Sequence, residues 1–220
     1  MIKTFKQKNA SLPKGAIPPK RAIPLPKIAA LPPLPEKAQK VLSLLSDPDV
    51  SVEKLRRLIA ADAPLSAKIL NIANFDFYGG GLTMPNLTHA IMRLGFNAVR
   101  NIVVATSLKG VFKRFGQEEE LLWTAMMGSA IASSIIARHT KLADPEDAFI
   151  GGLLHDVGRV YLINEHPDVF KRAPLPAERG QCPPELDFTM RQAGAMIVKK
   201  WGFPETLQTV LKNFDNPDEL

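Results

Sequence analysis

The sequence predicts an all-helical fold, on three observations. From Glu36 onward, apolar residues recur at helical spacing in nearly every segment. The breaks between segments carry helix start and stop residues rather than hairpin turns. No segment sustains the Val, Ile and aromatic alternation of a half-buried strand, so no sheet is needed.

Ala38, Val41, Leu42 and Leu45 form the first apolar stripe, which ends at the Asp47-Pro48 turn. Ser51 is placed to cap a second helix with Val52, Leu55, Leu58 and Ile59 inward. Pro64 falls in the first turn of a third helix, where its missing N–H costs nothing, and Leu65, Ile69, Leu70 and Ile72 form the core side. Gly79-Gly80-Gly81 marks a loop. A short helix over Thr88–Leu94 stops at Gly95, and Asn97 opens another through Leu108. Glu118–His139 is the longest periodic stretch. Asp144-Pro145 reads as an N-cap followed by proline at the first helical position, opening a helix toward His155. A Pro-rich loop surrounds Cys182, a long helix runs through about Trp201, and Pro204 begins the last one.

Charge separates the chain into two regions. The net charge is +6, yet seven of the 28 basic residues precede the first acid, Glu36. Beyond them, 21 basic residues face 22 acidic ones, so the body is electrically balanced. A nucleic-acid domain usually carries its positive patch on a folded face, and that balance argues against one here. Residues 1–30 hold Pro13, Pro18, Pro19, Pro24 and Pro26 among the lysines, and read as a basic tail or linker with few core contacts through about residue 25. The single cysteine, Cys182, excludes an internal disulfide framework and suits a reducing compartment. The basic start has no apolar stretch after it, and runs such as Ile102–Ala105 fall short of the roughly 18 residues of a membrane span. A cytoplasmic chain with no membrane partner is expected.

The stretch LPPLPEKAQKVLSLLSDPDVSVEKLRRLIAADAPLSAKILNIAN, from Leu31 to Asn74, closely resembles the opening of HDOD domains. THAIMRLGFNAVRNIVVATSL continues the match through Leu108, and LLWTAMMGSAIASSIIARHT and AFIGGLLHDVGRVYLI resemble the HD-derived half of that family. One local departure is Asn74-Phe75, where the family commonly has Asn-Ser. The resemblance implies an HD-related helical bundle preceded by an N-terminal helical part. It divides the chain into the tail, residues 1–30, and one domain, 31–220, with parts at 31–115 and 116–220. It also implies a bacterial regulatory module in signal transduction.

Active HD hydrolases gather His and Asp ligands from several helices around one or two divalent metals, which activate water and neutralise phosphate oxygens. This sequence keeps His155-Asp156, followed by Gly158-Arg159 in the place of the family's Gly-Lys. Where relatives carry a His two residues after the long helix's Trp, Ala125 stands here. Met190 replaces another His, and a His-His pair near the end maps to about Asn213 and Phe214. Such side chains do not hold a hard divalent metal. The resemblance therefore implies a degenerate site with no metal ligand set and no catalytic residue. His155 would hydrogen-bond near Gly151 and Gly152, and Asp156 would cap a helix break. The alternative is a surviving phosphohydrolase site, with His155 and Asp156 on a divalent metal such as Mn or Fe. His89, His139 and His166 lie on separate elements, and Cys182 has no His partner near it in sequence. Gly79-Gly80-Gly81 lacks the Lys-Ser/Thr of a phosphate loop. Met126-Met127 sits at core spacing. The expected action is binding to a signalling protein partner; the sequence specifies neither that partner nor an oligomeric state.

Overall fold

The computed structural model describes residues 23–27, 30–74, 83–172 and 185–213. Among these residues there are ten α-helices and no β-strand. They are α1 Glu36–Leu45, α2 Val52–Ala60, α3 Ala63–Ala73, α4 Leu87–Leu108, α5 Gln117–Thr140, α6 Pro145–Leu154, α7 Val157–Glu165, α8 Pro167–Arg172, α9 Met190–Lys200 and α10 Glu205–Lys212. Cys182, Phe75, Phe77, Gly79-Gly80-Gly81 and Phe214 lie outside the described residues.

Local chemistry accounts for most boundaries. Ser51 accepts a hydrogen bond from the Lys54 N–H and caps α2. Asp62 caps α3 through the Leu65 N–H, with Pro64 in the first turn. Asp144 takes the N–H groups of Glu146 and Asp147 at the start of α6. Thr189 and Gln192 bond reciprocally at the start of α9. The helices expected over 88–94 and 97–108 form one run, α4, interrupted by Gly95 at φ 77° and ψ 167°. That backbone lies in the left-handed half of conformational space, which an L side chain seldom enters, so Gly95 ends the first helical segment and a kink joins it to the second, as expected. The 3₁₀ turn Lys109–Val111 follows.

The core is continuous from Leu31 to Leu211. Helix α4 lies at its centre, contacting α1, α2 and α3 as well as α6. Its buried residues include Ile91, Val99, Val103, Val104 and Leu108. Helices α5 and α6 form the most extensive helix pair, while α7, α9 and α10 close the far side. The segment before α1 is also joined to the end of α9. Lys200 donates to the Leu31 carbonyl at 2.6 Å, and the Trp201 indole N–H to that of Pro32 at 3.0 Å.

The N-terminal tail differs from expectation at its end. Ile23 forms an isolated parallel bridge with Leu186: its N–H donates to the Glu185 carbonyl at 2.7 Å, and its carbonyl accepts from Asp187 N–H at 2.9 Å. Its side chain packs on the core, and Pro26 is buried. Proline content and charge argued for solvation here, but Ile23 pairs through its backbone and offers an apolar side chain. Deleting residues 1–27 is therefore expected to cost about 1–2 kcal/mol, through these two bonds and the lost burial. A thermal melt of the shortened chain reads this as a fall of several degrees.

Helix α5 also departs from the sequence reading. It is long and apolar enough, by length and composition, to cross a membrane. No long uninterrupted Leu/Ile/Val run marks it, because Ala, Gly, Ser and Thr interleave the large side chains. Its inner face, with Leu122, Met126, Ala130, Ser134 and Ala137 buried, packs within the domain.

Candidate functional site

His155 and Asp156 occupy the junction between α6 and α7. His155 is the C-cap of α6, and its Nδ1 lies 2.8 Å from the Gly152 carbonyl of its own helix. Its backbone carbonyl accepts from Arg191 at 2.8 Å. Asp156 stands at the N-cap position of α7, but its side chain makes no capping hydrogen bond there. The expectation that Asp156 caps the break is corrected on this point. Its backbone, at φ −115° and ψ 18°, is not the extended form a side-chain cap adopts. The carboxylate pairs instead with Arg159 Nε at 3.6 Å, ion-pair distance, and the two side chains are only 14% and 11% exposed. The Arg159 guanidinium also lies over the Phe170 ring, 5.0 Å from its centroid.

Gly158 supplies a different property: it lets α7 and α9 touch. A Cβ added there would overlap the Met190 carbonyl and come within 3.1 Å of the Gly194 nitrogen. Gly152 plays the same part between α6 and α5, where a Cβ would meet the Ser129 carbonyl and Ser133 Oγ, both at 2.7 Å. Gly152 and Gly158 thus let helices touch on either side of the His-Asp pair.

Of the positions named by the family resemblance, Met190 lies beside the His-Asp motif. It lies against Gly158, and its neighbour Arg191 bonds the His155 carbonyl. Ala125, exposed, is one turn along α5 from Ser129, which touches Gly152. Asn213 ends α10. His89 caps nothing itself and sits 2.8 Å from the Asn86 side chain at the start of α4, and His166 packs edge-on against Tyr161. Among the described residues, no group of three or more His, Cys, Asp or Glu could hold a metal ion. A metal centre depends on ligand number and convergence together. The described donors do not fit one: one imidazole nitrogen faces its own helix, the carboxylate faces an arginine, and Ala125 and Met190 offer no hard donor.

A second polar cluster, unnoticed in the sequence, joins α4 to α6. Asn101, fully buried, donates to the Glu146 carbonyl at 2.7 Å and to its carboxylate at 3.1 Å, while Arg138 approaches the other carboxylate oxygen at 3.4 Å. Arg100 pairs with Asp147 at 3.0 Å. Beside this cluster, α3, α4, α5 and α6 surround a cavity of about 630 Å³. One signal could have found the cluster: Asn101 is polar at a position where α4's periodicity calls for an apolar residue.

Burial pushes the Glu146 carboxyl above the ordinary carboxylate range, outweighing the Asn101 hydrogen bond and the Arg138 charge. Its folded form therefore holds a proton more tightly than its unfolded form. Stability is lost as pH rises from the unfolded pKa through the folded one, and the penalty is complete above both. Glu146→Gln should remove that loss. The melting difference, variant minus wild type, is expected to grow as pH rises from the ordinary carboxylate range toward neutrality. A difference that stays flat or shrinks over that range contradicts the assignment.

The family model of the HDOD domain matches residues 31–217. This chain belongs to the HDOD family. The HDOD domain is also similar to a crystal structure from Shewanella amazonensis SB2B, provisionally named a phosphohydrolase. That match has TM-score 0.70 and 24% identity, over 88% of this chain and 72% of the other. An HDOD domain protein of unknown function from Geobacter sulfurreducens matches with TM-score 0.63 and 23% identity, over 86% of this chain and 66% of the other. Both likenesses establish the fold. An uncharacterized protein of Treponema pallidum (strain Nichols) is 25% identical over 197 residues. That match covers 86% of the HDOD chain and 38% of the relative, so the chain spans well under half of that relative's length.

Proposed function

We propose that this HDOD domain is a non-catalytic regulatory module that binds a signalling protein, and that its HD site is a structural remnant. The observation that carries the reading is the engagement of the retained pair. The Gly152 carbonyl takes His155 Nδ1, Arg159 takes Asp156, and no converging third donor accompanies them among the described residues. Gly158 has a sufficient structural reason to be there, since α9 leaves no room for a side chain.

Binding is supported by the outer side of α5. Leu121 is 65% exposed, Ile136 60% and Leu142, just beyond the helix, 88%. Large exposed apolar side chains along one helix and just past its end offer a surface for a protein partner. The body's balanced charge gives no comparable support for a nucleic-acid partner. A cytoplasmic location and a bacterial signalling context belong to the same proposal.

The competing reading is a weak metal-dependent phosphohydrolase acting on nucleotides or cyclic dinucleotides. The adjacency of His155 and Asp156 favours it; the chemistry at Ala125 and Met190 opposes it. To test the binding reading, Leu121→Glu and Ile136→Glu are compared with wild type in cross-linking from the native cell. Both residues are exposed, so melts should change little. Loss of one specific cross-linked protein in both variants supports the proposal, and an unchanged pattern refutes the α5 surface as the contact.

A further inference from the structure

The cavity between α3, α4, α5 and α6 lies away from the His-Asp pair. Trp123, Met127, Ile131 and Ser134 line it and follow one another at helical spacing on α5. Ala125, level with the HD motif, projects from a different side of that helix. Its walls are apolar, with Ile102, Ala105 and Phe149 among them, and its volume of about 630 Å³ is in the range of small-molecule sites.

Charge is distributed unevenly around it. At one end Asn101 and Glu146 are already hydrogen-bonded to each other, and Arg138 approaches the carboxylate. At the other, Lys109 stands 4.2 Å from the Trp123 ring centroid and 4.9 Å from that of Phe115. Lys68, from α3, is the other lysine of the lining. Among the described residues neither lysine is paired with a carboxylate. The Trp123 indole N–H is buried and has no hydrogen-bond partner among them. Lys109, just past the end of α4, is eight positions beyond Asn101, about 12 Å at 1.5 Å per residue.

We infer that this cavity binds an amphipathic small-molecule anion, with an acyl-like apolar body along α4 and α5 and a single carboxylate-type head at Lys109 and Lys68. Charge complementarity selects the head. Among the described residues the lining holds two lysines without carboxylate partners, and Lys109 stands well along the helix run from Asn101, whose partner Glu146 is the carboxylate of the lining, so charge favours an anionic head at the lysines over one at Glu146. The apolar walls select the body, since burial of each methylene adds to affinity. The aromatic rings beneath Lys109 hold its ammonium over the Trp123 side of the cavity. The inference goes beyond the partner proposal and does not depend on it, because Leu121 and Ile136 are not among the lining residues.

The test uses the full chain and three probes that share a decyl chain: decanoate, decanol and decyltrimethylammonium. Titration calorimetry is run below the probes' self-association. Decanoate is expected to bind at one per chain and at least about tenfold more tightly than decanol, with the cationic probe weakest. In Lys68→Gln/Lys109→Gln, decanoate should lose about tenfold or more while decanol is unchanged. Ala105→Phe, which fills the cavity, should abolish binding of both; if it fails to fold, Thr106→Trp serves instead. Equal affinity for decanoate and decanol overturns the inference. So does a lysine variant that binds decanoate as wild type does, or uptake at many molecules per chain. A concentration-dependent dimer with no decanoate uptake would assign the cavity mouth to a second copy and also overturn it.

Discussion

Gly158→Ala is expected to destabilise the HDOD domain by about 3 kcal/mol, through backbone overpacking. The added methyl would overlap the Met190 carbonyl and press on the Gly194 nitrogen. Both are backbone atoms of α9, held by Thr189 and Gln192 at its first turn, so they cannot swing aside as a flexible side chain can. For a domain of this size the melting temperature should fall by roughly 10 °C. Gly151→Ala provides the contrast. That glycine lies inside α6 with nothing within 4 Å of a built Cβ. There alanine's greater helix propensity should leave the melt unchanged or raise it by about 1 kcal/mol in stability. Two variants that melt alike would contradict the close-approach account.

Asp156→Ala is the second large effect, expected at about 2 kcal/mol. The carboxylate is only 14% exposed and its Arg159 partner 11%, so removing it leaves a largely buried guanidinium short of its counter-charge. Phe170 beneath the guanidinium retains part of the interaction. Asp156→Ala/Arg159→Met should therefore cost less than the two single changes added together, because the loss of one partner is what makes the other costly. Strict additivity in chemical denaturation would show that the pair is not coupled.

The helical character of the domain was legible because its cues are local. Ser51, Asp144 and the Asn97–Leu108 periodicity act over three or four residues, and their structural outcomes follow from backbone hydrogen-bonding needs. Gly95 was legible as the break between two helical segments, because its positive φ is a local property of glycine. The candidate site was legible in the sequence as the positions His155, Asp156, Ala125 and Met190 that the family resemblance singles out. Its contacts were not. The direction of the Asp156 carboxylate depends on where α7 carries Arg159, and the need for Gly158 depends on the approach of α9 from thirty residues away. The Asn101–Glu146 cluster spans 45 residues, and its one local trace is a polar Asn101 on the apolar face of α4. Ile23 shows the same limit at the tail, where one long-range bridge outweighs local proline content.

The central claim is that the His-Asp pair stabilises the α6–α7 junction and performs no hydrolysis. Its most direct test is turnover of nucleotide and cyclic-dinucleotide substrates with added Mn²⁺, by wild type and by Asp156→Ala. The account predicts no metal-dependent turnover in either protein, together with the lowered stability of the variant. Metal-dependent turnover in wild type that disappears in Asp156→Ala would contradict it and establish the domain as a phosphohydrolase.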